Sequence, residues 1–440
     1  MTPHASSSSA AAKLAREALA SQPITIVTEP PGPRAKEMIA RAVPHLSPSL
    51  IHCYPLMVRR ASGCMVEDVD GNVYLDAEAG VATASTGHCH PAVAAAIAEQ
   101  AEVLIHICGT DFHYPGYGAI CEKLGELARR IGNNRHHWQT FLTNSGTEAV
   151  EAGIKLARNH THRPNLIAFR GGFHGRTMGS LSLTASKSKY RKGFGPLLSN
   201  VYHAEYGSAD SVEELLSTVT APDDVAAIIV EPVLGEGGYV VPPHDFLPRL
   251  RALADQHGIM LVFDEVQSGM GRTGKMFAAE HSGVVPDVLL LAKGIASGMP
   301  LGAMMAPRER MTWPPGSHGS TIAGNPVSIA AGMATIKLLE GGLVANSARV
   351  GDALKGYLKS ALSNEEKVTD IRGVGLMIGV EFETAALADE IAQLCFRRGL
   401  LVLECGRKAI RLSPPLILTE EQARVTADVF AGACRDAARE

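Results

Sequence analysis

Between about Ala92 and Ala306 the chain alternates two patterns: stretches with helical periodicity, and short, mostly apolar runs with β-branched residues. The first is the stripe of a helix that buries one face, and the second marks a strand buried on both faces, as in a parallel sheet covered by helices. Six runs stand out: Trp138 to Thr143, Asn165 to Phe169, Val225 to Val230, Ile259 to Phe263, Val288 to Leu291 and Gly302 to Ala306. They predict an open α/β sheet, in which ligands sit beyond the carboxyl ends of the strands. A helical stretch from Asn325 to Leu339, then apolar runs near Gly375 to Phe382 and Leu400 to Leu403, predict a second, smaller α/β unit.

Upstream, Glu29-Pro30-Pro31-Gly32-Pro33 disfavours regular structure, so the folded body is expected to begin near Arg34. Met1 to Ser21 is rich in Ser and Ala and has no continuous apolar stretch, which reads as an arm or a short surface helix rather than a secretory signal.

Composition narrows the function classes. A chain of 440 residues is long enough for two or three domains. Its net charge of -4 provides no field for nucleic acid or anionic lipid, so neither partner is expected. The best apolar stretch, Val284 to Ala306, is broken by Asp287, Lys293 and several glycines, short of the roughly 18 residues a membrane span needs. Eight cysteines with no Cys-x-x-Cys pair fit reduced thiols in a cytoplasm. In His88-Cys89-His90 the side chains are adjacent on a turn before Pro91, an arrangement that seldom converges on one ion, and no metal is expected.

Three segments carry candidate chemistry. Asn144-Ser145-Gly146-Thr147-Glu148 follows a strand and opens a helix, with Ser145 and Glu148 spaced as a capping box. Free amides and the positive end of the helix dipole make such a terminus a phosphate cradle, although a plain helix cap has the same sequence. Asp264-Glu265-Val266-Gln267 leaves a buried strand, where a carboxylate needs a positive partner such as a protonated pyridine nitrogen. Capping of the next turn is the alternative for Asp264. Lys293 ends another apolar strand, where desolvation lowers an amine's pKa and suits it to Schiff-base and proton-transfer chemistry, unless it snorkels to the surface. Gly269-Met270-Gly271-Arg272-Thr273-Gly274-Lys275-Met276 imitates nucleotide-binding loops. It does not open a helix directly after its strand, and Met276 takes the place of the Ser/Thr that binds magnesium.

Taken with Gly172-Phe173-His174-Gly175-Arg176-Thr177, Glu231-Pro232, Gly235-Glu236-Gly237-Gly238, Ala292-Lys293-Gly294 and Gly324-Asn325-Pro326, these motifs resemble the class III aminotransferases that depend on pyridoxal 5′-phosphate (PLP). The resemblance runs over nearly the whole chain from Arg34. It implies fold-type I, with a large domain whose mostly parallel sheet lies between helices and a smaller α/β domain. The implied division is an N-terminal arm over 1-33, expected to be flexible, a segment 34-75 joining the small domain, a PLP-binding domain 76-335 and a C-terminal domain 336-440. It also implies a homodimer with shared active sites, or a higher oligomer built on it.

By the same resemblance Lys293 carries the cofactor, Asp264 pairs the pyridine nitrogen, Gln267 lies near the ring hydroxyl, and Phe173 and Val266 sandwich the ring beside His174. Ser145, Gly146 and Thr147 hold the phosphate, with Thr321 reaching it from the other subunit. Arg411 matches an arginine that binds an α-carboxylate and Glu236 a glutamate that pairs with it, while Arg176 matches a second carboxylate-binding arginine and Glu231 is assigned to the same pocket. A guanidinium meets a carboxylate bidentately, so two of them suit a pocket for both a 2-amino dicarboxylate and an ω-amino acid. Surface or structural ion pairing is the alternative for each.

Val81 stands where ornithine δ-aminotransferases place a selective tyrosine, which argues against an ornithine role. The segments Gly109-Thr110-Asp111-Phe112 and Trp313 to His318 look most like a prokaryotic branch of 4-aminobutyrate-aminotransferase-like proteins that includes amino-acid racemases and epimerases. The expected activity is transfer of an amino group from an ω-amino acid such as 4-aminobutyrate, or a similar amine, to a 2-oxo acid such as 2-oxoglutarate. Racemisation or epimerisation of a neutral or basic amino acid is the alternative, with Asp111 as a candidate substrate contact.

Overall fold

The structure, a computed structural model, describes residues 14–437. Its centre is a seven-stranded sheet of β4 (Trp138–Thr143), β5 (Asn165–Phe169), β6 (Val201–Ala204), β7 (Val225–Val230), β8 (Met260–Asp264), β9 (Val288–Leu291) and β10 (Gly302–Pro307), in the order β4-β10-β9-β8-β7-β5-β6. Pairing is parallel from β9 through β8, β7 and β5 to β6, whereas β10 runs antiparallel to both β9 and β4. The sheet is therefore mostly parallel, and β4, β5, β7, β8 and β9 all end at one edge. Every residue of β5, β7, β8, β9 and β10 is buried, which is why these segments read as unbroken apolar runs.

Two smaller sheets flank it. One joins β1 (Val58–Ser62), β2 (Met65–Asp68) and β3 (Val73–Asp76) to β13 (Leu400–Leu401) near the other end of the chain. The other is antiparallel and orders β11 (Val368–Val374), β12 (Met377–Phe382), β15 (Ala409–Leu412) and β14 (Leu403–Cys405) as β11-β12-β15-β14.

Two expectations change here. Flexibility of an arm over 1-33 does not describe its later part: residues 14–20 are helical, Leu19 is buried, and Thr25 bridges Val73. Asn72 Oδ1 accepts the N–H groups of Val27 and Thr28, both at 2.9 Å. Residues 1–13 lie outside the described part. Among the described residues, the stretch long and apolar enough to compare with a membrane span is the helical run 326–361 rather than 284–306. It is broken by an irregular turn over Leu339–Leu343, with Gly342 at φ 133, and it packs on the helices Pro91–Val103 and Pro115–Ala128.

The Gly269 to Lys275 loop has a structural task. Arg272 is 1% exposed and its Nη1 donates to the carbonyls of Leu376 and Pro414 at 3.0 and 2.5 Å, splicing the end of the central sheet to the antiparallel one. His88 and His90 are likewise committed, to Asp76 Oδ2 at 2.6 Å and to the Ala92 N–H that begins a helix.

Candidate active site

A cavity of about 890 Å³ opens at the carboxyl edge of the central sheet, and residues from β4, β5, β7, β8, β9 and β15 or their following loops line it. Ser145, Gly146, Thr147, Phe173, His174, Arg176, Glu231, Glu236, Asp264, Val266, Gln267, Lys293, Arg411 and Val81 all lie on this wall. Thr321 and Asp111 do not: both are exposed, on neighbouring loops joined by the hydrogen bond from Thr110 Oγ1 to the Ser320 carbonyl at 3.2 Å.

Ser145 caps the helix Gly146–Thr161, accepting the Glu148 N–H at 3.4 Å. The carboxylate of Glu148 reaches one residue further back than a capping box requires, taking the Asn144 N–H at 2.6 Å. The first-turn amides have no acceptor within the helix and face the cavity with the dipole's positive end. Thr147 commits its hydroxyl to Thr177 and Ser180, at 2.8 and 2.6 Å, so its backbone N–H is what remains for an anion.

Asp264 closes β8. Its Oδ1 accepts the Val266 N–H at 3.0 Å, and its Oδ2 lies 2.7 Å from His174 Nδ1. Burial works against charging the imidazole, but the hydrogen bond and the charge of Asp264, with Glu231 nearby, leave His174 above its ordinary value. Glu231 accepts the N–H groups of Phe173 and Gly235 at 2.9 and 2.8 Å, and burial pushes its carboxyl up to about 7 against the pull of His174.

Lys293 follows β9 with φ 46, a left-handed backbone that a non-glycine residue adopts at some cost. Its side chain faces the cavity, and burial first, then Arg411, lowers its ammonium pKa to about 8. Arg411, on β15, is 6% exposed, and its Nη1 donates to Glu236 Oε2 at 2.7 Å. Arg176 is exposed at the cavity, with its guanidinium 4.9 Å from the Tyr190 ring centre.

These residues fit a planar ring bearing a phosphate. Gln267 Nε2 is a buried donor with no partner in the structure, on the wall beside Asp264. Gly146 lets Val266 close over the same space, since a Cβ there would stand 2.7 Å from Val266 Cγ1. Sequence reasoning missed Lys187, Lys189, Asp389 and Glu404, which line the cavity, and Glu78 behind its wall, 5% exposed, whose Oε2 lies 3.3 Å from Arg411 Nε. Nothing in Asp76-Ala77-Glu78-Ala79 signals burial, which is created by the chain more than 300 residues later.

An open α/β sheet with a lysine, a paired aspartate and a phosphate-ready helix terminus at one edge defines an enzyme of the PLP-dependent type. The chain belongs to the class-III aminotransferases, whose family model matches residues 48–433. It is 37% identical to an alanine/serine racemase of Pyrococcus horikoshii, over 93% of this chain and 92% of that protein. It is 43% identical to an acetylornithine aminotransferase of Methanopyrus kandleri (84% and 92%) and 37% identical to a 4-aminobutyrate aminotransferase of Escherichia coli (92% and 99%). Among solved structures, an amine transaminase from an uncultivated Pseudomonas species in its PLP-bound form superposes with a TM-score of 0.81 at 30% identity, covering 90% of this chain and 98% of that one.

Proposed function

We propose that the protein moves an amino group from an ω-amino acid of the 4-aminobutyrate kind, or a related amine, to a 2-oxo acid such as 2-oxoglutarate, with PLP held on Lys293. The observation that carries this reading is Arg411: a buried guanidinium at the cavity whose present partner, Glu236, is a carboxylate that another carboxylate can replace. Arg176 supplies the second carboxylate subsite. The likeness to the Escherichia coli 4-aminobutyrate aminotransferase supports the donor class.

PLP, when bound, supplies the electron sink that lets a proton leave the carbon bearing the amino group. The protein's own groups do the rest. Lys293, whose ammonium pKa burial lowers to about 8, would take that proton at its Nζ. Asp264, steadied by His174, would pair the ring nitrogen. Gln267 Nε2, a buried donor without a partner, would donate to the ring hydroxyl, and Phe173 and Val266 would flank the ring. The amides of Ser145, Gly146 and Thr147 would hold the phosphate. Thr321 reaches the phosphate from a second copy, in a homodimer that also covers the exposed Ile105, Phe112 and Ile322 beside it. The eight cysteines are all unpaired, which supports a reducing, cytoplasmic setting.

Racemisation is the second reading, favoured by the likeness to the Pyrococcus racemase over 93% of the chain. The test is incubation with single amino acids, with and without 2-oxoglutarate, followed by chiral chromatography. Glutamate formed from 4-aminobutyrate only when the oxo acid is present supports transfer. An L-amino acid converted to its D-form with no acceptor overturns it in favour of racemisation.

A further inference from the structure

Arg411 is held by two carboxylates, and they are not equivalent. Glu236 touches it at Nη1 from the cavity side and has other partners there, Tyr190 Oη at 3.2 Å and Lys187 Nζ at 3.7 Å. Glu78 approaches Nε from behind, its Oε2 at 3.3 Å, while its Oε1 accepts the Leu403 N–H at 3.2 Å. The side chain of Glu78 is 7% exposed, against 16% for Glu236.

The backbone that presents Glu78 is unusual. Ala79, Gly80, Val81 and Ala82 follow it with φ of 50, 60, 61 and 59, a left-handed turn in which even a β-branched residue is enrolled. Asp76 Oδ1 fastens the turn by accepting the N–H groups of Glu78 and Ala79 at 2.8 and 2.9 Å. Strain of this kind persists where surrounding structure over-determines it, and here it borders the cavity through Val81.

Arg411 faces two carboxylates, and of these Glu236 also has Lys187 Nζ at 3.7 Å on the cavity side. A substrate carboxylate that displaces Glu236 meets a full positive charge if Glu78 is neutral, and an already neutralised guanidinium if Glu78 is ionised. We propose that Glu78 is a specificity-determining positioning residue. As the rear counter-ion of Arg411 it sets how tightly Arg411 holds a substrate carboxylate, and so the preference between 2-oxo acids and substrates that are uncharged at that end. This rests on the reading of Arg411 as a carboxylate-binding group.

The proposal carries a pH signature. Burial pushes the Glu78 carboxyl up to about 8 against the attraction of Arg411, with Asp76 adding repulsion. The other groups that face it are Cys405 on β14, Tyr239, Arg272, and the Cys53–Tyr54 turn. As pH rises through about 8, Glu78 ionises and carboxylate affinity at Arg411 falls.

The experiment measures competitive inhibition of the holoenzyme by glutarate, a dicarboxylate with neither amino nor oxo group that stays ionised throughout, at about pH 6.5 and about pH 9, on either side of Glu78's transition. The wild type is expected to bind glutarate roughly tenfold more weakly at the higher pH, equivalent to about 1.4 kcal/mol. Glu78→Gln is expected to remove the step and keep the tighter affinity, with the change falling on KM for 2-oxoglutarate more than on kcat. A variant that keeps the step, or binds glutarate no tighter than wild type at the higher pH, overturns the proposal. So does a flat wild-type profile, which needs no variant to fold. Arg411→Gln separates the layers: lost glutarate affinity upholds the carboxylate reading and leaves Glu78 to stand or fall on its own result. Unchanged affinity overturns both.

Discussion

Replacing His174 by Phe keeps a ring of similar size and removes the hydrogen bond to Asp264. The two side chains are 3% and 4% exposed and their polar atoms are 2.7 Å apart. At an effective dielectric constant of about 20 the gross attraction between two unit charges at that distance is roughly 6 kcal/mol. Desolvation takes back part of this, and breaking one partner out of a buried pair costs about 3–5 kcal/mol. Asp264 retains the Val266 N–H, so the lower figure applies. The variant without cofactor should therefore lose about 3 kcal/mol in urea denaturation followed by tryptophan fluorescence. The cofactor-loaded variant should lose less, because the ring nitrogen gives Asp264 another cationic partner. The loss should also depend on pH. The imidazole is raised in the folded state, so its contribution is fully present below the unfolded value of about 6.5 and fades as pH climbs through the folded one. A loss under about 1 kcal/mol at about pH 6, or one equally large with and without cofactor, refutes the reasoning.

Three further outcomes follow from other parts of the wall and core. In protein without cofactor, covalent capture of PLP trapped by borohydride should rise with pH through a midpoint of about 8 and level off roughly one pH unit higher, where Lys293 is free amine, and Lys293→Ala should abolish capture and activity; a midpoint near the ordinary lysine value of about 10.4 contradicts this. Gly146→Ala drives a methyl into Val266 and should weaken cofactor binding about tenfold in a fluorescence titration, an effect of 1–3 kcal/mol being usual for overpacking; unchanged affinity refutes it. Gly351→Ala sets a Cβ on the backbone of Gly375 and should cost about 3 kcal/mol or more, read as a lowered melting temperature; an unshifted transition refutes it.

Most of the central sheet was legible because its inner strands are buried on both faces: Val-Ala-Ala-Ile-Ile-Val and Val-Leu-Leu-Leu leave no polar position to confuse the pattern. The strands that escaped notice are those whose pattern is mixed. The edge strand β6 carries His203, and β15 is four residues with an arginine in it. Arg411 was therefore found by family likeness, not by periodicity. Pairings were the least visible, since His174 meets Asp264 across 90 positions and Glu78 meets Leu403 across 325. Local sequence says that such residues are polar, not that the fold will bury them together. Asp111 and Thr321 lie off this chain's cavity wall, and a loop motif alone carries no information about which copy's site it borders.

The most direct test of amino-group transfer is a half-reaction. Purified holoenzyme mixed with excess 4-aminobutyrate and no oxo acid should release one equivalent of the corresponding ω-oxo acid per active site and then stop, resuming when 2-oxoglutarate is added. Mass spectrometry of the quenched mixture reads both steps. If no carbonyl product forms while L-alanine is converted to D-alanine under the same conditions, the site does not transfer amino groups from this donor class and the account fails.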